Sequence, residues 1–200
     1  MRTFLNLICI FAASVTSGNG ILCPECFNST TANCEGSLAT CASCQTVVAE
    51  SGHGNNSVSV IEKSCSVYPD SCNFAYSVTA SDFHISFNSS CCDTELCNNG
   101  SVQVLPRNTT ENGLECPSCF MENATECCAN QTVQCTGQET KCVNFTGSLF
   151  DQGSCRNYTL QACVTENVCK SQVLPLYPKT QLCEVQRVEC SDPKATSPIS

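Results

Sequence analysis

The sequence predicts an all-β protein made of two tandem, small, disulfide-rich modules. Three observations support this class: the 200 residues include 22 cysteines, the cysteine spacings repeat along the chain, and short alternating strands flank turn-forming residues. Such a cysteine density in a short secreted chain is typical of a disulfide scaffold. No stretch has convincing helical periodicity, so we expect strands and loops alone.

The N-terminus indicates an oxidising, extracellular destination. Met1-Arg2 is a short positive start, residues 4–15 are mostly apolar, and small residues follow up to Gly20. This pattern is typical of a secretory signal peptide, because about twelve apolar residues are too few to span a bilayer. We therefore expect residues 1–20, with Cys9, to be removed. The C-terminal segment lacks the apolar tail of a lipid-anchor signal, so we predict no membrane anchor.

The cysteine pattern occurs twice. The spacing Cys-x2-Cys-x7-Cys begins at Cys23 and again at Cys116, and later in each block twenty residues separate two cysteines. Shared long intervals mark two copies of one module, and the polar, turn-rich stretch between them is typical of a linker. The predicted boundaries are a first module over 21–105, a linker over 106–113, a second module over 114–193 and a tail over 194–200.

Alternating strands around turn-forming residues predict two hairpins in each module. The strand pairs are 46–49 with 58–61, 73–79 with 83–87, 143–146 with 158–160, and Val173 with 185–188 around Pro175 and Pro178. Each module has few large apolar side chains, and the chain has no Trp. A core that thin supplies only a few kcal/mol, whereas each disulfide adds about 2–4 kcal/mol. We expect the cross-links to hold the fold.

Two motifs resemble a known family. A Leu stands just before Cys-x-x-Cys at the start of each module, and the first module ends in Cys91-Cys92-x4-Cys97-Asn98. Both motifs resemble the three-finger (snake-toxin-like) domain of the urokinase-receptor and lymphocyte-antigen-six family (UPAR/Ly-6), across essentially the whole mature chain. The resemblance implies two tandem three-finger domains, and it implies that Asn98 caps the core through backbone hydrogen bonds.

The resemblance also implies a disulfide pattern. Its pairs are Cys23–Cys44, Cys26–Cys34, Cys41–Cys65, Cys72–Cys91 and Cys92–Cys97 in the first module, then Cys116–Cys142, Cys119 with Cys127 or Cys128, Cys135–Cys163 and Cys169–Cys190 in the second. The second module lacks the closing Cys-Cys-x4-Cys-Asn motif, and Cys155 and Cys183 could bridge two fingers. The mature chain has an odd number of cysteines, so one is left over. We expect a buried free thiol rather than a covalent dimer.

A two-module chain with a shortened second end is similar to gamma-type phospholipase A₂ inhibitors. The stretches 111–119, 133–142 and 188–190 carry that likeness, and 101–106 leans toward amphibian sodefrin-precursor-like factors of the same architecture. The resemblance implies a secreted, non-enzymatic binding protein. The first choice is a gamma-type inhibitor that masks a secreted phospholipase A₂. The alternative is a courtship pheromone or another extracellular signal that a receptor reads. A third class is a structural mucosal or plasma protein without a tight partner.

Catalytic and metal chemistry find little support. The two histidines are His53 in a predicted turn and His84 in a predicted strand, and no nucleophile–base–acid set accompanies them. Cys-x2-Cys pairs at positions 23–26 and 41–44 nearly match a four-thiolate zinc site, but the signal peptide and the further cysteines favour disulfides. We predict no enzyme, no metal and no cofactor.

Asn-x-Ser/Thr sequons predict a heavily glycosylated surface. The nine sequons begin at Asn28, Asn55, Asn88, Asn99, Asn108, Asn123, Asn130, Asn144 and Asn157. Glycans exclude a partner from the faces that they cover. The stretch 174–178 is apolar and carries no sequon, so we predict that Leu174, Leu176 and Tyr177 contact a partner. The alternative is a loop that folds back on its own module.

Charge indicates the kind of partner. The chain has a formal net charge of −9, and residues 21–105 contain eight acids against one base, Lys63, for a net of −7. An acidic module repels nucleic acid and anionic lipid and favours a basic extracellular protein. The alternative is that the charge serves solubility alone. A secreted phospholipase A₂ or a receptor satisfies this expectation, and a homo-oligomer stays open.

Overall fold

The computed structural model describes residues 20–29, 33–53, 56–66, 72–102, 107–151, 153–171 and 181–196. These residues form an almost entirely β structure. The strands are β1 (Ile21–Asn28), β2 (Ser37–Cys41), β3 (Cys44–His53), β4 (Asn56–Cys65), β5 (Ala75–Thr79), β6 (Phe83–Cys92), β7 (Glu111–Glu122), β8 (Gln131–Thr136), β9 (Glu139–Asp151), β10 (Ser154–Thr165), β11 (Gln181–Ser191) and β12 (Lys194–Ala195).

A short helix, α1 (Glu166–Ser171), corrects the expectation of strands and loops alone. Six residues are too few for a periodic pattern to be visible in the sequence. Its acidic first turn and basic last turn suit the helix dipole, and Glu166 pairs with Lys170 at 3.0 Å. Val168 lies fully buried in the core. Within the described ranges, no helix has the length and apolarity needed to cross a membrane.

Three of the four predicted hairpins are confirmed. Antiparallel pairing joins β3 to β4, β5 to β6, and β9 to β10. The fourth hairpin was predicted around residues 173–178, which lie outside the described residues, and β11 pairs with β9. Gly137 has φ = +53° in the two-residue turn between β8 and β9, a conformation that glycine adopts without steric cost.

The strands of the two modules join into one sheet. The order is β2-β1-β4-β3-β6-β5-β10-β9-β11, and β7 pairs with β10, β8 and β12. The modules meet where Thr79 and Val78 of β5 lie opposite Cys163 and Val164 of β10. The backbone hydrogen-bond ladder therefore runs from one module into the other.

The main hydrophobic core is also common to both modules. The first module contributes Val47, Ala49, Val60, Tyr76, Val78, Ala80, Ile85 and Phe87, and the second contributes Val143, Phe145, Leu160, Ala162, Val164 and Val168. Phe83 stacks on Phe120 across the junction with ring centroids 4.4 Å apart. The sequence suggested two thin cores, whereas the folded chain pools its apolar side chains into one cluster.

Ten disulfides cross-link the described residues. The pairs are Cys23–Cys44, Cys26–Cys34, Cys41–Cys65, Cys72–Cys91, Cys92–Cys97, Cys116–Cys142, Cys119–Cys127, Cys135–Cys163, Cys155–Cys183 and Cys169–Cys190. Cys119 therefore takes Cys127 rather than Cys128. The expectation of a buried free thiol is wrong, because the unpaired Cys128 is exposed. Its neighbour Cys127 is half-buried and bonds Cys119 of β7.

Asn98 closes the first module as the resemblance implies. The side chain is 6% exposed, and its Nδ2 donates to the carbonyls of Pro24 at 3.3 Å and Gln45 at 3.2 Å. The backbone N–H of Leu96 donates to the carbonyl of Leu22. The loop closed by the last disulfide of this module is thereby fixed against β1 and β3.

Candidate partner-binding surface

The residues predicted to contact a partner, Leu174, Leu176 and Tyr177, lie outside the described residues. The described elements on either side of them are α1 and β11. The surface formed by these two elements is therefore the described part of the chain nearest in sequence to the predicted contact residues.

Three apolar side chains of β11 form one face, which we call the β11 face: Leu182, Val185 and Val188. They lie opposite Leu149, Gly147 and Phe145 of β9. Leu182 is 37% exposed and Val185 40% exposed, while Val188 packs partly against the common core. Because β11 ends the sheet order, one backbone edge of this strand is not covered by another described strand.

Two register shifts in β11 create this face. They fall between Leu182 and Glu184 and between Val185 and Arg187. Side chains of a regular strand alternate between faces, so residues three apart would normally point in opposite directions. Each β-bulge adds one residue and returns the next apolar side chain to the same face. Cys183, in the first bulge, bonds Cys155 of β10 across β9.

The sequons of β9 and β10 lie on the opposite face of the sheet. Asn144 alternates with the buried Val143 and Phe145, and it faces Gln161 on β10. Asn157 lies opposite Ser148, which is on the same side of β9 as Asn144. Glycans on these two asparagines would cover that side and leave the β11 face open.

The remaining sequons are spread over both modules. The exposed asparagines are Asn88, Asn99, Asn108, Asn123 and Asn130, and the half-buried ones are Asn28, Asn144 and Asn157. Asn55 lies outside the described residues. The folded protein thus presents acceptor side chains at several separate places rather than in one cluster.

The single base of the first module is buried. Lys63 is 1% exposed, and its Nζ donates to Asn33 Oδ1 at 2.7 Å and to the Gly100 carbonyl at 2.8 Å. Desolvation lowers the pKa of Lys63, and the nearby Glu35 carboxylate opposes that shift. The exposed groups of residues 21–105 that are charged at pH 7 are therefore acidic in the part of the chain that the structure describes.

A polar cluster joins the modules beside the common core. Thr79 Oγ1 donates to Oε1 of the fully buried Glu139 at 2.8 Å and accepts from Arg107 Nη2 at 2.7 Å. Glu139 Oε2 also accepts from the Thr136 backbone N–H at 3.0 Å. Sequence reasoning missed Glu139 and Arg107, because no local pattern distinguishes a buried acid from a solvated one.

The two histidines occupy different environments. His53 is exposed at the end of β3, with its ring edge-on to Phe120 at 6.4 Å. His84 lies over Gly52, where an added Cβ would come within 2.2 Å of the imidazole. Burial and then the Arg107 charge lower the pKa of His84, and Glu50 opposes them. These positions fit roles in packing at the module junction.

Cysteine sulfurs approach metal-ligand spacing at two places within the described ranges. One group is Cys44, Cys92 and Cys97, and the other is Cys116, Cys135 and Cys163. Every one of these sulfurs belongs to a disulfide. A metal needs a deprotonated thiolate, so these groups cannot bind one while oxidised. The cysteines of the two Cys-x2-Cys motifs, at positions 23–26 and 41–44, are likewise in disulfides, each with a partner outside its own motif.

Comparison with known proteins identifies the family. The model of the u-PAR/Ly-6 domain matches residues 19–100 and again residues 112–198. The chain belongs to the u-PAR/Ly-6 family. Its two matches make it a two-domain member, with a nearly all-β, disulfide-rich fold of the three-finger type.

Several curated relatives of this u-PAR/Ly-6 protein are similar over most of its length. Protein RoBo-1 of Rattus norvegicus is 30% identical over 84% of this chain and 74% of its own. A gamma-type phospholipase A2 inhibitor of Laticauda semifasciata is 32% identical over 72% and 78%. Phospholipase A2 inhibitor CNF of Crotalus durissus terrificus is 28% identical over 94% and 96%. The chain is thus a binding protein of the u-PAR/Ly-6 type.

Proposed function

We propose that this protein is a secreted, glycosylated and non-enzymatic inhibitor that masks a secreted phospholipase A₂. The observation that carries the proposal is similarity along nearly the full chain to proteins named as phospholipase A₂ inhibitors, including CNF at 94% coverage of this chain. The alternative of a secreted courtship signal stays a prediction.

The charge distribution supports a basic enzyme as the target. Burial of Lys63 leaves the described surface of the first module with charged groups that are acidic only. A surface of one sign attracts a partner of the opposite sign over about a Debye length, which accelerates encounter at low salt. We propose that the first module steers a basic phospholipase toward the second.

The β11 face supports a contact surface on the second module. Leu182 and Val185 expose apolar side chains beside an open strand edge, on the side of the sheet opposite Asn144 and Asn157. Interface energy concentrates in a few buried apolar anchors. We propose that this face and the adjoining Leu174, Leu176 and Tyr177 bind the enzyme together.

Titration of the secreted protein against basic and acidic phospholipase A₂ isoforms tests the function. We expect inhibition of a basic isoform, with an association rate that falls as salt rises. The double variant Leu182→Ser/Val185→Ser should weaken binding at least about tenfold. Leu38→Ser is the matched control, because Leu38 is 55% exposed on the first module. The variant Leu176→Ser/Tyr177→Ser tests the predicted contact residues of the segment 174–178.

Each outcome bears on a separate part of the proposal. Failure to inhibit any basic or acidic isoform would remove the function. If the Leu182→Ser/Val185→Ser variant inhibits as well as the wild type, the β11 face is not the contact surface. Equal inhibition at low and high salt would remove the steering role of the acidic module.

A further inference from the structure

A groove of about 370 Å³ lies at the junction of the two modules. Its floor is one face of the β3-β6-β5 sheet, where two rungs of cross-strand neighbours lie side by side. The rungs are Val48–Asn88–Ala75 and Glu50–Ser86–Ser77. The facing wall comes from the linker and from the β8–β9 turn of the second module.

The chemistry of the groove suits a neutral sugar. Glu50 offers a carboxylate acceptor, Ser77 and Ser86 offer hydroxyls, and Arg107 offers donors from the wall. Val48, Ala75, Tyr76 and Phe87 also line the groove and give it an apolar part. The carboxylate disfavours a phosphate, and the polar and charged groups among the lining residues disfavour a purely apolar acyl chain. A pyranose with an acetamido group presents the matching mixture of donors, acceptors and one methyl.

Asn108 places a glycan acceptor on the rim of this groove. It begins the sequon Asn108-Thr109-Thr110 and is exposed. Its Oδ1 accepts from the Thr110 backbone N–H at 3.0 Å, which fixes the amide group. Its Nδ2 lies 3.1 Å from the position that a Cβ would take on Gly137, a lining residue of the groove.

The segment around Asn108 is held against the second module. The backbone N–H of Gly137 donates to the Thr110 carbonyl at 2.9 Å, and Asn112 Nδ2 donates to the Gly137 carbonyl at 3.2 Å. A sugar on Asn108 would therefore start from a fixed point beside the groove. A glycan on a mobile loop would lose more conformational entropy on docking.

We propose that Asn108 carries an N-linked glycan whose innermost N-acetylglucosamine lies in this groove and bridges the two modules. In the modification, the amide nitrogen forms a bond to C1 of a lipid-pyrophosphate-linked oligosaccharide. The C1–oxygen bond breaks, the pyrophosphate leaves with the electron pair, and the amide proton passes to a base of the transferase. The inference requires secretion but not phospholipase inhibition, so the two proposals fail separately.

Asn88 provides the competing possibility within the same groove. It also begins a sequon, and it lies on the floor between Val48 and Ala75. A glycan there would have to leave through the mouth and would occupy the place assigned to the sugar on Asn108. The proposal therefore has Asn108 modified and Asn88 unmodified in the same molecule.

The test compares two sequon variants that keep both asparagines, made in the full chain secreted from a eukaryotic host. Thr110→Val removes the Asn108 sequon and retains the backbone N–H that bonds Asn108 Oδ1. Thr132→Val removes the exposed sequon at Asn130, which is not among the groove-lining residues. Glycopeptide mass spectrometry establishes occupancy, and thermal unfolding and amide hydrogen exchange report the junction.

We expect Thr110→Val to lower Tm by about 2–4 °C and to speed exchange in β5 and β6, while Thr132→Val changes neither. Trimming the wild-type glycans to single N-acetylglucosamines should preserve Tm and exchange. An unmodified Asn108 overturns the proposal, as does a modified Asn88 or equal behaviour of the two variants. If Thr110→Val is not secreted, the test uses wild-type protein alone. Amide hydrogen exchange in β5 and β6 is compared between protein trimmed to single N-acetylglucosamines and protein with all glycans removed. Equal exchange rates in the two samples overturn the proposal.

Discussion

Removing the Thr79 hydroxyl should weaken the joint between the modules. Thr79→Val keeps the shape of the side chain but breaks its hydrogen bonds to Glu139 at 2.8 Å and from Arg107 at 2.7 Å. A hydrogen bond to a charged group contributes about 1.5–3 kcal/mol. Glu139 keeps the bonds from Thr136, and Arg107 can recruit water, so we expect a loss of about 2–3 kcal/mol rather than the sum.

Urea unfolding with the disulfides intact measures this loss. Because the modules have a common core, we expect one cooperative transition whose midpoint falls in Thr79→Val with an unchanged m-value. The control is Thr140→Val, since Thr140 is exposed on β9 beside Glu139, and it should stay within about 0.5 kcal/mol of wild type. Equal midpoints for the two variants would refute the role of the buried hydroxyl.

Three further predictions concern groups with unusual environments. Lys63→Met should lower stability by about 1–3 kcal/mol, because it deletes the two bonds from Nζ; an unchanged urea midpoint would contradict this. The folded pKa of His84 lies below 6.5, so the folded state binds fewer protons and stability should fall as pH drops below about 6.5. His84→Gln should flatten the dependence of Tm on pH between pH 7 and pH 5. An unaltered slope would exclude His84 as the cause of the pH dependence. Cys128 should react with maleimide once per native chain, and Cys128→Ser should abolish labelling at constant Tm; an unlabelled wild type would show the thiol engaged.

The hairpins were predictable because their evidence is local. Alternating apolar residues around short turns identify β3–β4, β5–β6 and β9–β10 without knowledge of the rest of the chain. The pairing of β5 with β10 was not predictable, because Val78 and Val164 are far apart in sequence and either strand could have formed an edge. The common core follows from that pairing, so it escaped prediction too.

The candidate surface was predictable only in outline. The sequence located an apolar, sequon-free stretch ahead of β11 and a strand over residues 185–188, but not the face that β11 forms. Leu182, Val185 and Val188 are three residues apart, a spacing that simple alternation would divide between two faces. The two bulges arise in the pairing of β11 with β9, which a local sequence pattern does not reveal. The face can therefore be recognised only when the register of that pairing is known.

The β5–β10 ladder limits how such a chain can be divided. A gene fragment encoding either half would yield a polypeptide with an unsatisfied strand edge and an apolar surface facing water. Such fragments would self-associate, and hybrids assembled from halves of different relatives would require matched residues on both β5 and β10. Recombinant expression and epitope mapping should therefore use the two modules together. Gene duplication or recombination should likewise retain both modules as one unit.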